Sequence, residues 1–437
     1  MIVIQCLDMA NRLAARMNVQ KMEMKNGLVV ASEVMPHFRS VAIGVWVKCG
    51  SRFEGAHCCG ISHFIEHLLF KGTGTRSAVD IAKEIDSVGG QLDAFTDKEY
   101  VGFYARVLDE HVPLTFELLS DIVLNPTFPS VEIERERKVI FEEISTVEDT
   151  PQELINDIFL ESFWQGHPLG NPIAGTRESV ARIGRREVMD YFKRNYHAAR
   201  NTVVAVAGNI RHREVQALAE RYFSNLPPGI ESNPGSPPTP RSVRTMRYKP
   251  NLEQTHICIG VPCPSRISEE RFCAHLLSSV LGGGMSSRLF QNIREKRGLV
   301  YAIDSILNLY RDAGTLIVSA ATAPQTAAMV GRLVLKEFRR LRDELVSEEE
   351  LQRAKECIKG SLALSLESSI SRMTHLAQQQ IDFGRFSPLE EILDRIDRVR
   401  RVDIRRLARE IFSSSSLTLA ALGNHDGKQL ESLHLRV

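Results

Sequence analysis

The stretch from Thr202 to Asn209, TVVAVAGN, returns 215 residues later as LTLAALGN, from Leu417 to Asn424. A second echo pairs the histidine and two leucines at His67 with the same triplet at His275, 208 residues on. Each triplet follows a strand-like segment, Val41 to Val47 in one half and Thr255 to Val261 in the other. Two echoes at nearly one offset are the mark of a duplicated domain, and a chain built twice on one plan must bury two similar cores. Between the copies, residues 227–241 hold six prolines in fifteen positions, with Gly, Ser, Asn and Thr making up most of the rest. Such a stretch reads as an extended connection. The expected units are residues 19–225, a Pro-rich linker at residues 226–245, and residues 246–437.

Strand and helix patterns alternate within each copy. From Tyr100 to Val107, alternate residues Val101, Phe103, Ala105 and Val107 share one face, and helical spacing follows from His111 to Val123. Asn26-Gly27 predicts a hairpin turn between Val19 to Met24 and Leu28 to Glu33. In the second copy, helical patterns run from Gln325 to Leu341 and from Ser347 to Leu364. The expected fold class is α+β: two homologous domains, each a mixed, mainly antiparallel sheet packed with helices, facing each other as a clamshell.

The 437 residues are 43% apolar and 25% charged, which excludes a disordered, collagen-like or coiled-coil chain. Fifty-five Lys plus Arg against 54 Asp plus Glu argue against a nucleic-acid partner. No apolar run reaches the roughly 18 residues a membrane helix needs. Residues 1–10 lack the pattern of a secretory signal, so the expected compartment is a bacterial cytoplasm; Arg12, Arg16 and Lys21 keep a mitochondrial matrix as the alternative. Eight cysteines without a CxxC pair read as reduced thiols rather than a disulfide or zinc-ribbon framework.

The chemistry gathers in His63-Phe64-Ile65-Glu66-His67, inside an apolar-periodic run from Ile61 to Phe70. On a helix, residues four apart lie about 40° apart around the axis, so His63 and His67 present both imidazoles on one face with Glu66 beside them. Two imidazoles on one turn suit zinc and leave room for a third ligand and a water, with Glu66 as general base. Both histidines also fit as satisfied core residues. A third ligand is sought on the helical stretch from Val131 to Val147, where Ile133, Ile140, Ile144 and Val147 mark the inward stripe. Glu136 and Glu143 are seven apart, fall within roughly 20° of each other and border that stripe, whereas Glu142 points elsewhere. By phase Glu143 is the candidate ligand and Glu136 its outer neighbour, although helical geometry alone favours a solvated acidic face.

The order HxxEH, followed 76 residues later by Glu143 with Glu136 seven before it, resembles the insulinase/pitrilysin family of zinc metallopeptidases, the inverzincins. The resemblance runs from about residue 19 to residue 430. It includes Gly50-Ser51-Arg52, Gly60-Ile61-Ser62, Phe70-Lys71-Gly72-Thr73, Asp93-Ala94-Phe95-Thr96, and Arg294 with Tyr301. Length and two-half arrangement look most like the catalytic subunit of the mitochondrial processing peptidase and its bacterial relatives.

The resemblance implies one zinc ion per chain on His63, His67 and Glu143, with Glu66 activating water, and a first domain that is catalytic. It implies that a strand at Asp93, Ala94, Phe95 and Thr96 pairs with extended substrate, and that Arg294 and Tyr301 from the second domain bind substrate backbone and steady the tetrahedral intermediate. Asn is more usual in the family where this chain has Asp93. The second domain should be metal-free, since Arg271 and Ala274 stand opposite His63 and Glu66. The implied function is a zinc endopeptidase for extended or unfolded peptides, working as a homodimer or with a related subunit. The alternative is a non-catalytic subunit that presents substrate to a partner peptidase. Gly282-Gly283-Gly284 lacks a phosphate-loop context and is expected to be a flexible loop before a helix from Ser286 to Lys296, letting the backbone pass close to substrate or partner.

Overall fold

The computed structural model describes residues 19–431 apart from Ala56, residues 414–416 and Asp426, together with Leu433 and Leu435. Six strands form the first sheet: β1 (Val19–Glu23), β2 (Val29–Val34), β3 (Ser40–Val47), β4 (Gln91–Thr96), β5 (Val101–Leu108) and β6 (Thr202–Gly208), in the order β1-β2-β6-β3-β5-β4. The second has β7 (Arg244–Tyr248), β8 (Thr255–Pro262), β9 (Val300–Leu309), β10 (Gly314–Thr322) and β11 (Thr418–Gly423), in the order β7-β11-β8-β10-β9. In each sheet one parallel pair, β2 with β6 or β7 with β11, joins an otherwise antiparallel set. Removing β1 superimposes the two strand orders, so the duplication is one of topology as well as text. The TVVAVAGN and LTLAALGN echoes are β6 and β11, which end on Gly208 and Gly423, both at positive φ. A Cβ on either glycine would come within about 2.5 Å of a backbone carbonyl, that of Ser40 or of Gln254, so the spacing itself demands glycine.

The first half carries α1 (Ile61–Leu69), α2 (Ala78–Ser87), α3 (Val112–Leu124), α4 (Ser130–Asp149), α5 (Pro151–Phe163), α6 (Arg177–Arg182), α7 (Arg185–Asn195) and α8 (His212–Phe223). The second carries α9 (Arg271–Gly282), α10 (Ala327–Asp343), α11 (Glu348–Ser365), α12 (Ser369–Phe383), α13 (Leu389–Arg398), α14 (Arg401–Ile411) and α15 (Gly427–Glu431). The chain is α+β with two sheets. The segment expected as a regular helix from Ser286 instead winds as a π-helical turn over Phe290–Glu295. None of the described helices is long and apolar enough to cross a membrane.

Each half lends one helix to the other. The apolar side of α5, with Ile155, Ile158, Phe159 and Phe163, packs on β8 and β11 against Cys258, Ala420 and Leu422. In return α12 lays Met373, Leu376 and Ala377 over Ala42, Trp46, Val203 and Ala205 of the first sheet. The exchange buries apolar surface of each half against the other, so separating them exposes both faces to water. A buried ion cluster adds to the seam. Arg52 holds Glu99 at 2.8 Å and, from the second half, Asp312 at 2.6 Å, while Arg266 reaches Asp382 at 3.2 Å and Glu99 at 3.5 Å. The Pro-rich connection is tied down at both ends, Pro227 accepting from Ala199 N at 2.8 Å and Arg241 N donating to the Phe163 carbonyl at 2.9 Å.

Candidate active site

Helix α1 is short and strongly two-faced. Ile61, Phe64, Ile65, Leu68 and Leu69 are buried in the first core, which turns His63, Glu66 and His67 toward α4 and β4. Helix α4 faces it with Ile133, Glu136, Ile140 and Ile144 inward. Glu143 lies between the imidazoles, its oxygens 3.6 Å from His63 Nε2 and 3.6 Å from His67 Nε2. Among the described residues, His63, His67 and Glu143 are the one group of three His, Cys, Asp or Glu whose ligand atoms all lie within 4.8 Å of one another. Glu142, one residue earlier, is exposed.

The donor set fits a zinc ion. Bonds of about 2.0 to 2.2 Å in tetrahedral array place neighbouring ligand atoms about 3.4 Å apart, close to the separations present. Burial, and then the charge of His67, lower the His63 pKa to about 4, so the ring is neutral and keeps a lone pair for a metal. His67 presents Nδ1 to Glu136 Oε2 at 3.1 Å, and Lys71 holds the other Glu136 oxygen at 2.8 Å. A carboxylate at Nδ1 fixes the tautomer that leaves Nε2 free as a ligand. His63 Nδ1, by contrast, is buried with no partner.

Glu66 stands beside the group and outside it. Its Oε2 accepts from Thr96 Oγ1 at 2.6 Å, and burial lifts its carboxyl above the ordinary range while the Thr96 bond pulls it back. Thr96 ends β4, the edge strand of the first sheet, whose one neighbour is β5. The other three β4 residues singled out divide by face. Ala94 packs on the core side, whereas Phe95 stacks edge-on against Trp46 at 5.2 Å. Asp93 accepts from Ala94 N at 2.8 Å and from Tyr104 OH at 3.1 Å.

Arg294 and Tyr301 lie together, the guanidinium 5.5 Å from the tyrosine ring centre and 4.5 Å from that of Phe290. Tyr301 is 81% exposed at the start of edge strand β9, and neither residue bonds to the histidine and glutamate cluster. The glycine run differs from the expected open loop. Gly282 lies in α9 with its Cα against Ser305 of β9, where a Cβ would sit 2.7 Å from a backbone nitrogen; Gly284 alone of the three has open space around it.

Two features escape the sequence reading. A cavity of about 580 Å³ opens beside His63 and Glu143, walled by apolar Ile144, Leu154 and Ile158 and by Glu153, Asp157 and Glu161 of α5. The spacing of those three acids, i, i+4 and i+8 after Pro151, was the available signal. Arg247 pairs with Glu161 at 3.0 Å, and buried Lys98 lies close enough to Asp157 to oppose the rise in its pKa that burial causes. The second feature is Glu54, whose contacts with α1 span too many residues for a local capping rule to find.

Comparison with known proteins identifies the family of the chain. The model described as insulinase (peptidase family M16) matches residues 29–177, and that described as the peptidase M16 inactive domain matches residues 182–357. A protein of Mycobacterium leprae named an uncharacterized zinc protease is 39% identical over 433 residues, 98% of this chain and 97% of its own. One of Bacillus subtilis with the same description is 35% identical over 395 residues, covering 90% and 96%. Among solved structures, a protease from Helicobacter pylori matches with a TM-score of 0.87 at 21% identity, covering 93% of this chain and 99% of that one. At that identity the likeness shows the fold, and the longer matches above carry the rest: the chain belongs to the insulinase family of peptidases, family M16.

Proposed function

We propose that this protein is a zinc-dependent endopeptidase that cuts extended peptides, with one zinc held by His63, His67 and Glu143. The observation that carries the reading is the placement of Glu66, outside the three-ligand group yet joined by Thr96 to an open strand edge. Relatives named zinc proteases support the metal and the reaction class. When bound, zinc supplies a Lewis acid for the scissile carbonyl and acidifies the attacking water.

The protein's own groups do the rest. A substrate strand adds to the free edge of β4, where main-chain hydrogen bonds hold any sequence in register. Glu66 accepts the proton of the attacking water and returns it to the departing amine. Thr96 keeps that carboxylate aimed and favours its ionised form. Arg294 and Tyr301 supply a fixed cation and a phenolic donor to the substrate backbone and the developing oxyanion once the substrate bridges both halves. Beyond the zinc ligand Glu143, four carboxylates, Glu148, Glu153, Asp157 and Glu161, stand against Lys98 and Arg247 and leave the adjoining cavity acidic, which suits a basic substrate side chain near the cut.

Digestion of a mixed peptide library with and without a chelator, read by mass spectrometry, tests this. Internal cuts that vanish with the chelator and return with zinc are expected, enriched for Lys or Arg close to the cleaved bond. Cutting that persists after chelation would exclude the mechanism.

A further inference from the structure

The first turn of α1 is held from outside by a carboxylate that the reaction above does not use. A helix begins with N–H groups that have no partner within it, and a side chain at the cap usually accepts from them. Here the cap is Gly60, at φ 91°, which has no side chain to offer. Glu54, only 4% exposed, takes that part from six residues upstream: Oε2 accepts from Gly60 N at 2.7 Å and Oε1 from Ser62 N at 2.8 Å. A negative charge at this end also matches the helix dipole.

Other contacts lock the same turn. Ser62 Oγ lies 3.2 Å from Tyr191 OH, Tyr196 OH donates to the Ser62 carbonyl at 3.4 Å, and Ser179 Oγ donates to the Cys59 carbonyl at 2.8 Å. The next residue is His63. Its neighbour His67 is oriented through its own ring by Glu136, whereas His63 Nδ1 is buried and unpartnered. Nothing holds the His63 ring by hydrogen bonding, so its place is set by the backbone that carries it, and Glu54 fixes that backbone.

We propose that Glu54 is a positioning residue for the metal site, setting His63 through the first turn of α1 in place of the hydrogen bond that the ring lacks. The inference rests on the reading that His63, His67 and Glu143 hold zinc. Burial raises the Glu54 carboxyl to about 7 despite its two backbone bonds. A folded pKa above the unfolded one means stability that is present at low pH and lost as pH rises through about 7, so the ionised group costs the fold stability at pH 8.

The test compares the parent with Glu54→Gln, Glu54→Asp and, as a ligand control, Glu143→Gln. Zinc affinity is read by competition with a chelating dye, site geometry by the visible spectrum of the cobalt-loaded protein, and folding by the Tm of the metal-free protein at pH 8. Glu54→Gln, whose amide can accept from only one of the two backbone N–H groups, is expected to lower the metal-free Tm somewhat, to weaken zinc binding about 10 to 100-fold, more than that loss of stability accounts for, and to shift the cobalt spectrum. Glu54→Asp, which keeps the charge on a shorter arm, should fall between. Parent-like affinity and spectrum in both Glu54 variants, while Glu143→Gln loses zinc, would overturn this inference alone. So would affinity that falls only in step with the metal-free Tm. A parent that binds no zinc overturns the ligand reading and this inference with it. Should Glu54→Gln not fold, Glu54→Asp decides: at least fivefold weaker binding supports the role, and anything less overturns it.

Discussion

Thr96 donates its hydroxyl to Glu66 across 2.6 Å, which makes the open strand edge and the proposed general base one mechanical unit. The bond favours the ionised carboxylate, and it works against the burial that raises the Glu66 pKa. In Thr96→Val that pKa rises further. A base must be ionised to act, so the acid limb of kcat/KM should move to higher pH, by about one unit, with zinc content unchanged and activity at pH 8.5 within about tenfold of the parent. An unmoved acid limb in the folded, zinc-loaded variant would break the link.

Glu136 meets His67 through Nδ1 and is itself held by Lys71. Glu136→Gln should weaken zinc binding by about 10 to 100-fold without abolishing it, since it loosens the ring and leaves the ligand atoms in place. Competition against a chelator gives the value, and affinity within twofold of the parent would show that the contact does not orient the ring.

The helical phase that separates Glu143 from Glu142, and the pairing of His63 with His67, follow from 3.6 residues per turn and were legible before any coordinates. So were the two copies, because β6 and β11 each end on a glycine that the neighbouring backbone requires. The exchange of α5 and α12 between sheets was not legible. Their apolar stripes say that each packs on something, and nothing local in Ile155 or Met373 says which sheet. The acidic side of α5 was missed because carboxylates at helical spacing ordinarily face water. Glu54 was missed because capping rules look to the residue next to the helix, and this cap arrives from six positions away.

The seam between the halves depends on Arg52, whose side chain is fully buried between Glu99 and Asp312. Asp312→Ala leaves that guanidinium with one carboxylate in place of two, and removing a partner from a buried pair is costly. Urea unfolding should show a loss of about 2 to 3 kcal/mol. A change under about 0.5 kcal/mol would mean that water replaces Asp312 there and that the seam rests on the exchanged helices.

Arg294 and Tyr301 touch each other and lie on the second half, so their part in the reaction requires substrate to reach both halves. Tyr301→Phe and Arg294→Ala should each lower kcat by about 10² to 10³ on a peptide longer than ten residues, with zinc content and Tm unchanged. Activity within twofold of the parent in both would leave the second half as a scaffold for the first.

The central claim is that Glu66 does the chemistry at a zinc held by its neighbours. Parent and Glu66→Gln, purified side by side, should each carry about one zinc per chain by elemental analysis. The parent should cleave an unfolded peptide at internal bonds, and the variant should do so at least about 10²-fold more slowly, because an amide of nearly the same shape cannot take the proton. A zinc-loaded Glu66→Gln protein that cleaves at the parent's rate, or a zinc-loaded parent that cleaves nothing, would contradict the account.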